Sequence, residues 1–118
     1  MTEATQTPIA EQMLESFEKR LEYRKTHSAG PGEQYYCEIM KGYFERIVNA
    51  KAEGKTLVGI SGAVPREVLF AMDLVPFFGE NLSMLVSAQG KSVPFFGVGE
   101  GYGIPNEGCS LYRLELGL

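Results

Sequence analysis

The first half of the chain alternates apolar and polar positions with the period of an α-helix. Apolar residues recur every three or four positions from residue 9 to residue 21 and again from residue 36 to residue 48, with charged and polar residues between them. This spacing puts each apolar set on one side of a helix. The pattern predicts one helix after Thr7-Pro8, an N-cap followed by a first-turn proline, and a second from about Glu33 to Glu53. The predicted buried stripes are Ile9, Met13, Leu14, Phe17 and Leu21 in the first helix and Tyr36, Ile39, Met40, Tyr43, Phe44, Ile47 and Val48 in the second.

A short break separates these two helices. The segment HSAGPG (residues 27–32) interrupts the helical pattern with glycine and proline. Two helices with matched apolar stripes and a short link are expected to form an antiparallel helical hairpin over residues 7–53, after a disordered tail at residues 1–6. His27 falls in the break with no acidic residue or cysteine at ligand spacing, so it is interpreted as an ordinary surface residue.

The period changes after Gly54. The run TLVGIS (residues 56–61) is almost continuously apolar, which is typical of a buried parallel strand. Residues 56–60 are expected to form the most buried strand of the protein. Alternating helix and strand patterns indicate an α/β layer with a parallel sheet over residues 54–118. The later elements are predicted as a helix at 66–73, a strand at 74–78, a helix at 80–89, a third strand or extended segment at 91–96, and a terminal helix after Asn106.

Composition narrows the class of protein. The chain has 118 residues, which fits a single domain, and its formal net charge of −4 argues against a general nucleic-acid binder. No apolar run reaches the roughly 18–20 residues that a membrane span needs, and the polar N-terminus does not resemble a signal peptide, so a cytoplasmic protein is expected. Two cysteines are too few for a disulfide framework.

The glycine-rich segment GVGEGYG (residues 97–103) invites comparison with a dinucleotide-binding loop. That fingerprint needs glycine at its first, third and sixth positions, directly between a strand and a helix. Counting from Gly97 the sixth position is Tyr102, and counting from Gly99 it is Ile104, so the fingerprint is not matched. The segment is interpreted as a flexible loop.

Three residues are considered as candidates for chemistry. Ser61 follows the first strand, where ligands bind in open parallel sheets, and it is equally a plain loop or capping residue. Cys109 lies in the first turn of the terminal helix, where free N–H groups and the helix dipole favour the thiolate that binds metals or attacks substrates. From the residues alone, a functional and a structural role of Cys109 are equally open. Cys37 lies in a helical pattern and is interpreted as a small buried hydrophobic residue.

Three motifs carry a resemblance to a known family. They are KTLVGISGAVPREVLFAM (residues 55–72), the short strand LVP (residues 74–76), and GCSLYR (residues 108–113) with Leu116-Gly117 behind it. In this order and spacing, they resemble the N-terminal part of the 2-hydroxyacyl-CoA dehydratase and benzoyl-CoA reductase family. The helical hairpin upstream is also similar to the lead-in of that family.

The resemblance implies a Rossmann-like α/β domain and an iron–sulfur cluster (4Fe–4S) held by cysteines. It implies a homologous partner subunit and a separate ATP-hydrolysing activator, which delivers a low-potential electron to an acyl-CoA thioester that loses water or has its ring reduced. By the same resemblance, Cys109 matches the first cluster cysteine, a metal ligand, and Ser61 matches a substrate-binding region. No residue of this chain is assigned a catalytic role.

The chain departs from the family in its length. Family subunits have several hundred residues and further cluster cysteines, and a cluster needs three or four protein ligands in most cases. We therefore expect an N-terminal fragment, a split small subunit or a short paralogue that is not active alone. The alternative is a non-catalytic assembly module of the same family, indicated by aromatic pairs that exceed what so small a core buries. A free redox or nucleophilic thiol is a third reading, against which stands the lack of a nearby resolving cysteine or histidine. The aromatic pairs are Tyr35-Tyr36, Phe77-Phe78 and Phe95-Phe96.

Overall fold

The protein forms two compact units. A computed structural model describes residues 8–62 and 64–118, and its first unit extends to Thr56 while its second runs from Leu57 to Leu118. The predicted tail at residues 1–6 and the predicted cap at Thr7 lie outside the described residues.

The first unit is a hairpin of two helices, as the apolar periodicity predicts. Helix α1 spans Ile9–Thr26 and helix α2 spans Pro31–Ala50. Gly30 has a φ of 118° between them, a conformation that favours glycine. Glu33, at the start of α2, pairs with Arg24 and Arg20 near the end of α1, with N–O distances of 2.7 and 2.9 Å. Further along, Phe17 contacts Phe44 and Glu18 pairs with Lys41, so earlier residues of α1 meet later residues of α2 and the helices run antiparallel.

The core of the hairpin is a narrower stripe than the sequence pattern predicts. The rings of Phe17 and Phe44 stack with their centroids 5.9 Å apart. Tyr36 and Ile39, both predicted to be buried, are exposed, and Ile39 retains 66% of its accessible surface. Two packed helices cover only the positions nearest their line of contact, so the flanks of a broad apolar stripe stay uncovered. The buried residues are Met13 and Phe17 in α1 and Cys37, Met40, Phe44, Ile47 and Ala50 in α2.

The second unit begins with a small parallel sheet, which confirms the predicted change from helices to parallel strands. Strand β1 (Leu57–Ile60) pairs with strand β2 (Val75–Phe78), and helix α3 (Arg66–Ala71) connects them. The expectation that β1 is the most buried strand is wrong. Leu57 and Gly59 are exposed, whereas the first two residues of β2 are buried. Alternate residues of a strand point to opposite faces, and in this two-stranded sheet the face that carries Leu57 is open over β1.

Three further helices follow the sheet: α4 (Gly79–Ala88), α5 (Val93–Gly101) and α6 (Ser110–Gly117). Helix α6 packs against both α4 and α5. Leu114 of α6 is buried, as are Leu82 and Val86 of α4. The buried Ser83 hydroxyl donates a hydrogen bond to the Leu111 carbonyl over 3.1 Å, so this polar group is satisfied inside the helix interface.

Helix α5 corrects two sequence-based predictions. The segment 91–96, predicted as a strand or extended segment, enters a helix at Val93, and most of the predicted flexible loop at 97–103 continues that helix to Gly101. Pro94 lies in the first turn, where its missing N–H has no cost. The glycines are tolerated because the backbones of α5 and α6 approach closely. An added Cβ at Gly99 would collide with the Arg113 carbonyl, and one at Gly117 would collide with the Phe95 carbonyl.

Across residues 8–62 and 64–118, none of the helices combines the length and apolar character that crossing a bilayer requires.

Candidate functional site

Ser61 stands directly after β1, at the carboxyl end of the parallel sheet. Its side chain is exposed, and its hydroxyl donates a hydrogen bond to Oε1 of Glu80 over 3.0 Å. Glu80 belongs to the first turn of α4, which follows β2 without an intervening loop. Gly62, with a φ of 64°, turns the chain away after the serine. The ends of both strands therefore bring a hydroxyl and a carboxylate together.

A second carboxylate joins this pair from α6. The carboxyl group of Glu115 lies directly against Gly79, where an added Cβ would collide with it. Burial raises the pKa of Glu115, and the negative charge of Glu80 raises it further. We call Glu80 and Glu115 the carboxylate cluster.

A cation stands at the same end of the sheet. The guanidinium of Arg66 lies 5.8 Å from the ring centroid of Phe78, and Phe78 pairs in register with Ile60, the last residue of β1. This end of the sheet therefore presents the Ser61 hydroxyl, the carboxylates of the cluster and the Arg66 guanidinium. These groups supply hydrogen-bond donors, hydrogen-bond acceptors and charges of both signs to a polar ligand. Among the residues that the structure describes, no three histidine, cysteine or acidic side chains converge to hold a metal ion.

The carboxylate cluster predicts a pH dependence of stability. Because the folded-state pKa of Glu115 is raised above its ordinary value of 4.5, this group contributes most to stability below the unfolded pKa. That contribution is lost as the pH rises through the raised folded pKa. Glutamine at position 115 cannot ionise, so Glu115→Gln does not lose this stability as the pH rises. We therefore expect the variant to be more stable than the wild type at pH 7 by about 0.5 kcal/mol, the size of a like-charge pair on helices. Urea denaturation at pH 4 and pH 7 measures the difference.

The matched control for this prediction is Glu107→Gln, which neutralises an exposed carboxylate in the loop before α6. Because this side chain is exposed, we expect the variant to keep a free energy of unfolding at pH 7 close to that of the wild type. A Glu115→Gln protein that loses stability at pH 7 would contradict the proposed repulsion between Glu80 and Glu115.

Cys109 occupies the N-cap position of α6 with an exposed, unpaired thiol. Its carbonyl accepts the N–H of Arg113 over 3.0 Å, which closes the first turn of the helix. Nη1 of Arg113 also donates to the Glu100 carboxylate and to the Asn106 carbonyl, each over 3.1 Å. The guanidinium lies 4.6 Å from the ring centroid of Phe96. Arg113 therefore ties the loop before the thiol to α5.

The structure does not bring Ser61 and Cys109 together. Leu111 of α6 meets Ser83 of α4, whereas Glu115 of α6 meets Gly79, so the two helices run antiparallel. The carboxylate cluster with Ser61 therefore lies near the C-terminal end of α6, while Cys109 begins the helix. Six residues of helix correspond to about 9 Å along its axis. Ser61 and Cys109 therefore occupy two separate positions, near opposite ends of α6.

The residues of this chain do not fit a complete iron–sulfur site. Cys37 is fully buried in the core of the hairpin, as predicted, and belongs to a different compact unit from Cys109. A cluster held by cysteines needs three or four thiolates in most cases. The described residues therefore supply one accessible thiol, which could serve only as part of a ligand set.

Two groups at these positions were missed by the sequence analysis. Glu80 could have been found by the reasoning that selected Ser61, because it follows the second strand at the same edge of the sheet. Glu115 gives no signal in the sequence, since its place beside Gly79 depends on how α6 packs against α4.

No protein-family model, curated protein or solved structure matches this chain. The roles of Ser61 and Cys109 therefore rest on their positions in the fold and on the resemblance of the sequence motifs.

Proposed function

We propose that this chain is an N-terminal fragment or small subunit of a cytoplasmic iron–sulfur dehydratase or reductase acting on acyl-CoA thioesters. In this proposal its second unit is part of a Rossmann-like layer. Cys109 contributes one ligand to a cluster that a homologous partner subunit completes, and a separate ATP-hydrolysing activator supplies the electron. The observation that carries the proposal is the exposed, unpaired thiol of Cys109 at the start of α6.

The surroundings of this thiol support a role as a ligand. The first N–H groups of a helix have no partners within the helix, and together with the helix dipole they favour a negative charge at that end. Arg113 holds the preceding loop through Glu100 and Asn106, so the thiol is presented from an anchored segment. A cysteine serving only as core would be buried, as Cys37 is.

Ser61 has a separate role in the proposal. Its exposed hydroxyl stands at the carboxyl end of a parallel strand, where open α/β sheets bind ligands. We assign it a contact to the polar part of the acyl-CoA substrate, exchanged for its hydrogen bond to Glu80.

The test is anaerobic co-expression of this chain with the products of its neighbouring genes, followed by iron and sulfide analysis of the purified complex. We expect the wild-type complex to contain iron and sulfide, and Cys109→Ser to lose most of both. Because Cys109 is exposed, the substitution should change the free energy of unfolding by no more than about 0.5 kcal/mol. Retention of wild-type iron by a Cys109→Ser complex would refute the ligand role.

The control for this experiment is Cys37→Ala, which removes the other thiol of the chain. Its side chain is fully buried in the hairpin core, so we expect a modest loss of stability and an unchanged ratio of iron to protein in the complex. Equal losses of iron in both variants would indicate damage to folding and not the removal of a ligand.

The alternative function is a non-catalytic assembly module of the same family, and α5 is the observation that favours it. A helix that is apolar on all sides is normally buried, yet Val93 at the start of α5 and Tyr102 immediately after its end keep 75% and 76% of their surface exposed. Its Val98 is also exposed. A wild-type complex that forms stably and contains no iron or sulfide would support the assembly module over the ligand role.

A further inference from the structure

Arg113 closes a ring of contacts around the exposed thiol. It lies one helical turn after Cys109, and its backbone N–H donates to the Cys109 carbonyl over 3.0 Å. Its guanidinium turns back to the loop before the thiol, where Nη1 donates to the Asn106 carbonyl over 3.1 Å. The same nitrogen donates to the Glu100 carboxylate of α5, also over 3.1 Å. One residue therefore holds the segment that carries the thiol from both of its sides.

The loop before the thiol has few other attachments. Every residue from 105 to 110 is exposed. The hydrogen bond from the Gly108 N–H to the Pro105 carbonyl is local and does not connect the loop to the rest of the unit. Among the described residues, the side chain that donates a hydrogen bond to this loop from outside is that of Arg113. The position of the loop, and of Cys109 at its end, therefore depends on that bond.

The buried side chain of Arg113 is a poor stabiliser of the fold. It is only 13% exposed, and within the described residues its Nε is buried without a hydrogen-bond partner. A buried donor without an acceptor destabilises the folded state, and replacing a buried ion pair by apolar groups of similar size often leaves stability equal or higher. The partner Glu100 is 46% exposed, so water can solvate its carboxylate in place of the arginine. The Phe96 ring beside the guanidinium offers an apolar replacement a surface to pack on.

We propose that Arg113 is a positioning residue for the Cys109 thiol, and that its contribution is the placement of this loop and not the stability of the fold. It acts through Asn106 and the first turn of α6. The inference rests on the proposed function, in which Cys109 is one ligand of a cluster, and it names the residue that presents this ligand.

The first test places a nitroxide spin label on Cys109 of the full chain, where the buried Cys37 stays unlabelled. We expect Arg113→Met to make the label more mobile than in the wild type, seen as a narrower electron paramagnetic resonance spectrum. The urea midpoint of unfolding should be equal or higher, because methionine removes the buried donor. A wild-type spectrum in the variant would overturn the proposal. A lower urea midpoint would also overturn it, because that is the effect of an arginine that serves the fold.

Arg66→Met is the matched control for the label. The guanidinium of Arg66 also lies near an aromatic ring, that of Phe78, with 5.8 Å to the centroid. Arg66 belongs to α3, however, and not to the helix that begins at the thiol. We expect this variant to keep the wild-type spectrum of the label on Cys109. An equal gain of mobility in both variants would indicate a general loosening of the second unit and would overturn the role of Arg113.

The co-expressed complex separates this inference from the proposed function. We expect the Arg113→Met complex to lose its iron at a roughly tenfold lower chelator concentration than the wild type, the lower end of the effect of a residue that orients a metal ligand. A wild-type complex without iron would refute the proposed function, while the spin-label result would still decide the role of Arg113. If the wild-type complex holds iron and the Arg113→Met complex holds it equally well, the positioning role is overturned.

Discussion

Replacing Phe44 with alanine is expected to lower the free energy of unfolding by about 3–5 kcal/mol. Phe44 is fully buried at the centre of the hairpin, where its ring stacks on Phe17 and meets Tyr43 edge to face with centroids 5.0 Å apart. The substitution removes the buried ring and leaves a cavity that a two-helix unit can fill only in part. Because small domains have a total stability of about 5–15 kcal/mol, this loss removes a large part of it. Chemical denaturation followed by far-ultraviolet circular dichroism measures the loss.

The control for Phe44→Ala is Ile39→Ala on the same helix. Ile39 is mostly exposed, so its truncation should change the free energy of unfolding by about 0.5 kcal/mol or less. The sequence pattern alone places both residues in one buried stripe, and the structure separates them. Equal costs of the two substitutions would contradict the buried stripe of α2 described above.

Replacing Gly99 with alanine is expected to destabilise the second unit by about 1–3 kcal/mol, the usual cost of overpacking. Alanine is the better helix former, so intrinsic propensity predicts the opposite sign. The added Cβ would collide with the backbone carbonyl of Arg113, which cannot move aside as a flexible side chain would. Helix α6 must shift, and with it Cys109. Hydrogen exchange of the α6 amides, together with urea denaturation, measures both consequences.

Two glycines in the same helix provide the controls. No atom lies within 4 Å of the Cβ position at Gly97 or at Gly101, so alanine fits at both. We expect Gly97→Ala and Gly101→Ala to stabilise the protein by about 0.5–1 kcal/mol each, through helix propensity. Stabilisation by Gly99→Ala as well would show that α5 and α6 do not approach as closely as described.

Helix α6 links the two candidate positions of the protein. It carries Cys109 at its start and Glu115 near its end, and it is held between α4 and α5 by contacts in which glycine is required. Substitutions that displace α6 are therefore expected to affect the presentation of the thiol and the carboxylate cluster together, although the two lie at opposite ends of the helix. Cys109→Ser and Glu115→Gln should affect them separately.

Local sequence patterns specify the order and type of most elements. The hairpin helices, both strands and the helices at residues 66, 79 and 110 begin within a few residues of their predicted positions, because apolar periodicity and the placement of proline are local properties of the chain. The positions of Ser61 after a strand and of Cys109 at a helix start follow from the same local reasoning. The burial of Cys37 was also predictable from its place in a helical pattern.

Tertiary packing alone decided the rest. Residues 93–101 form a helix that packs against α6 closely enough to require glycine at position 99, and no local rule contains that contact. β1 is exposed because few strands and helices cover it, and the apolar content of a strand does not reveal how many neighbours it has. Ser61, Glu80 and Glu115 come from three separate parts of the chain and meet only through tertiary packing. The separation of Ser61 from Cys109 follows from the antiparallel packing of α4 and α6. Periodicity specifies which side of an element is apolar, whereas the neighbour that covers that side is set by contacts between residues distant in sequence.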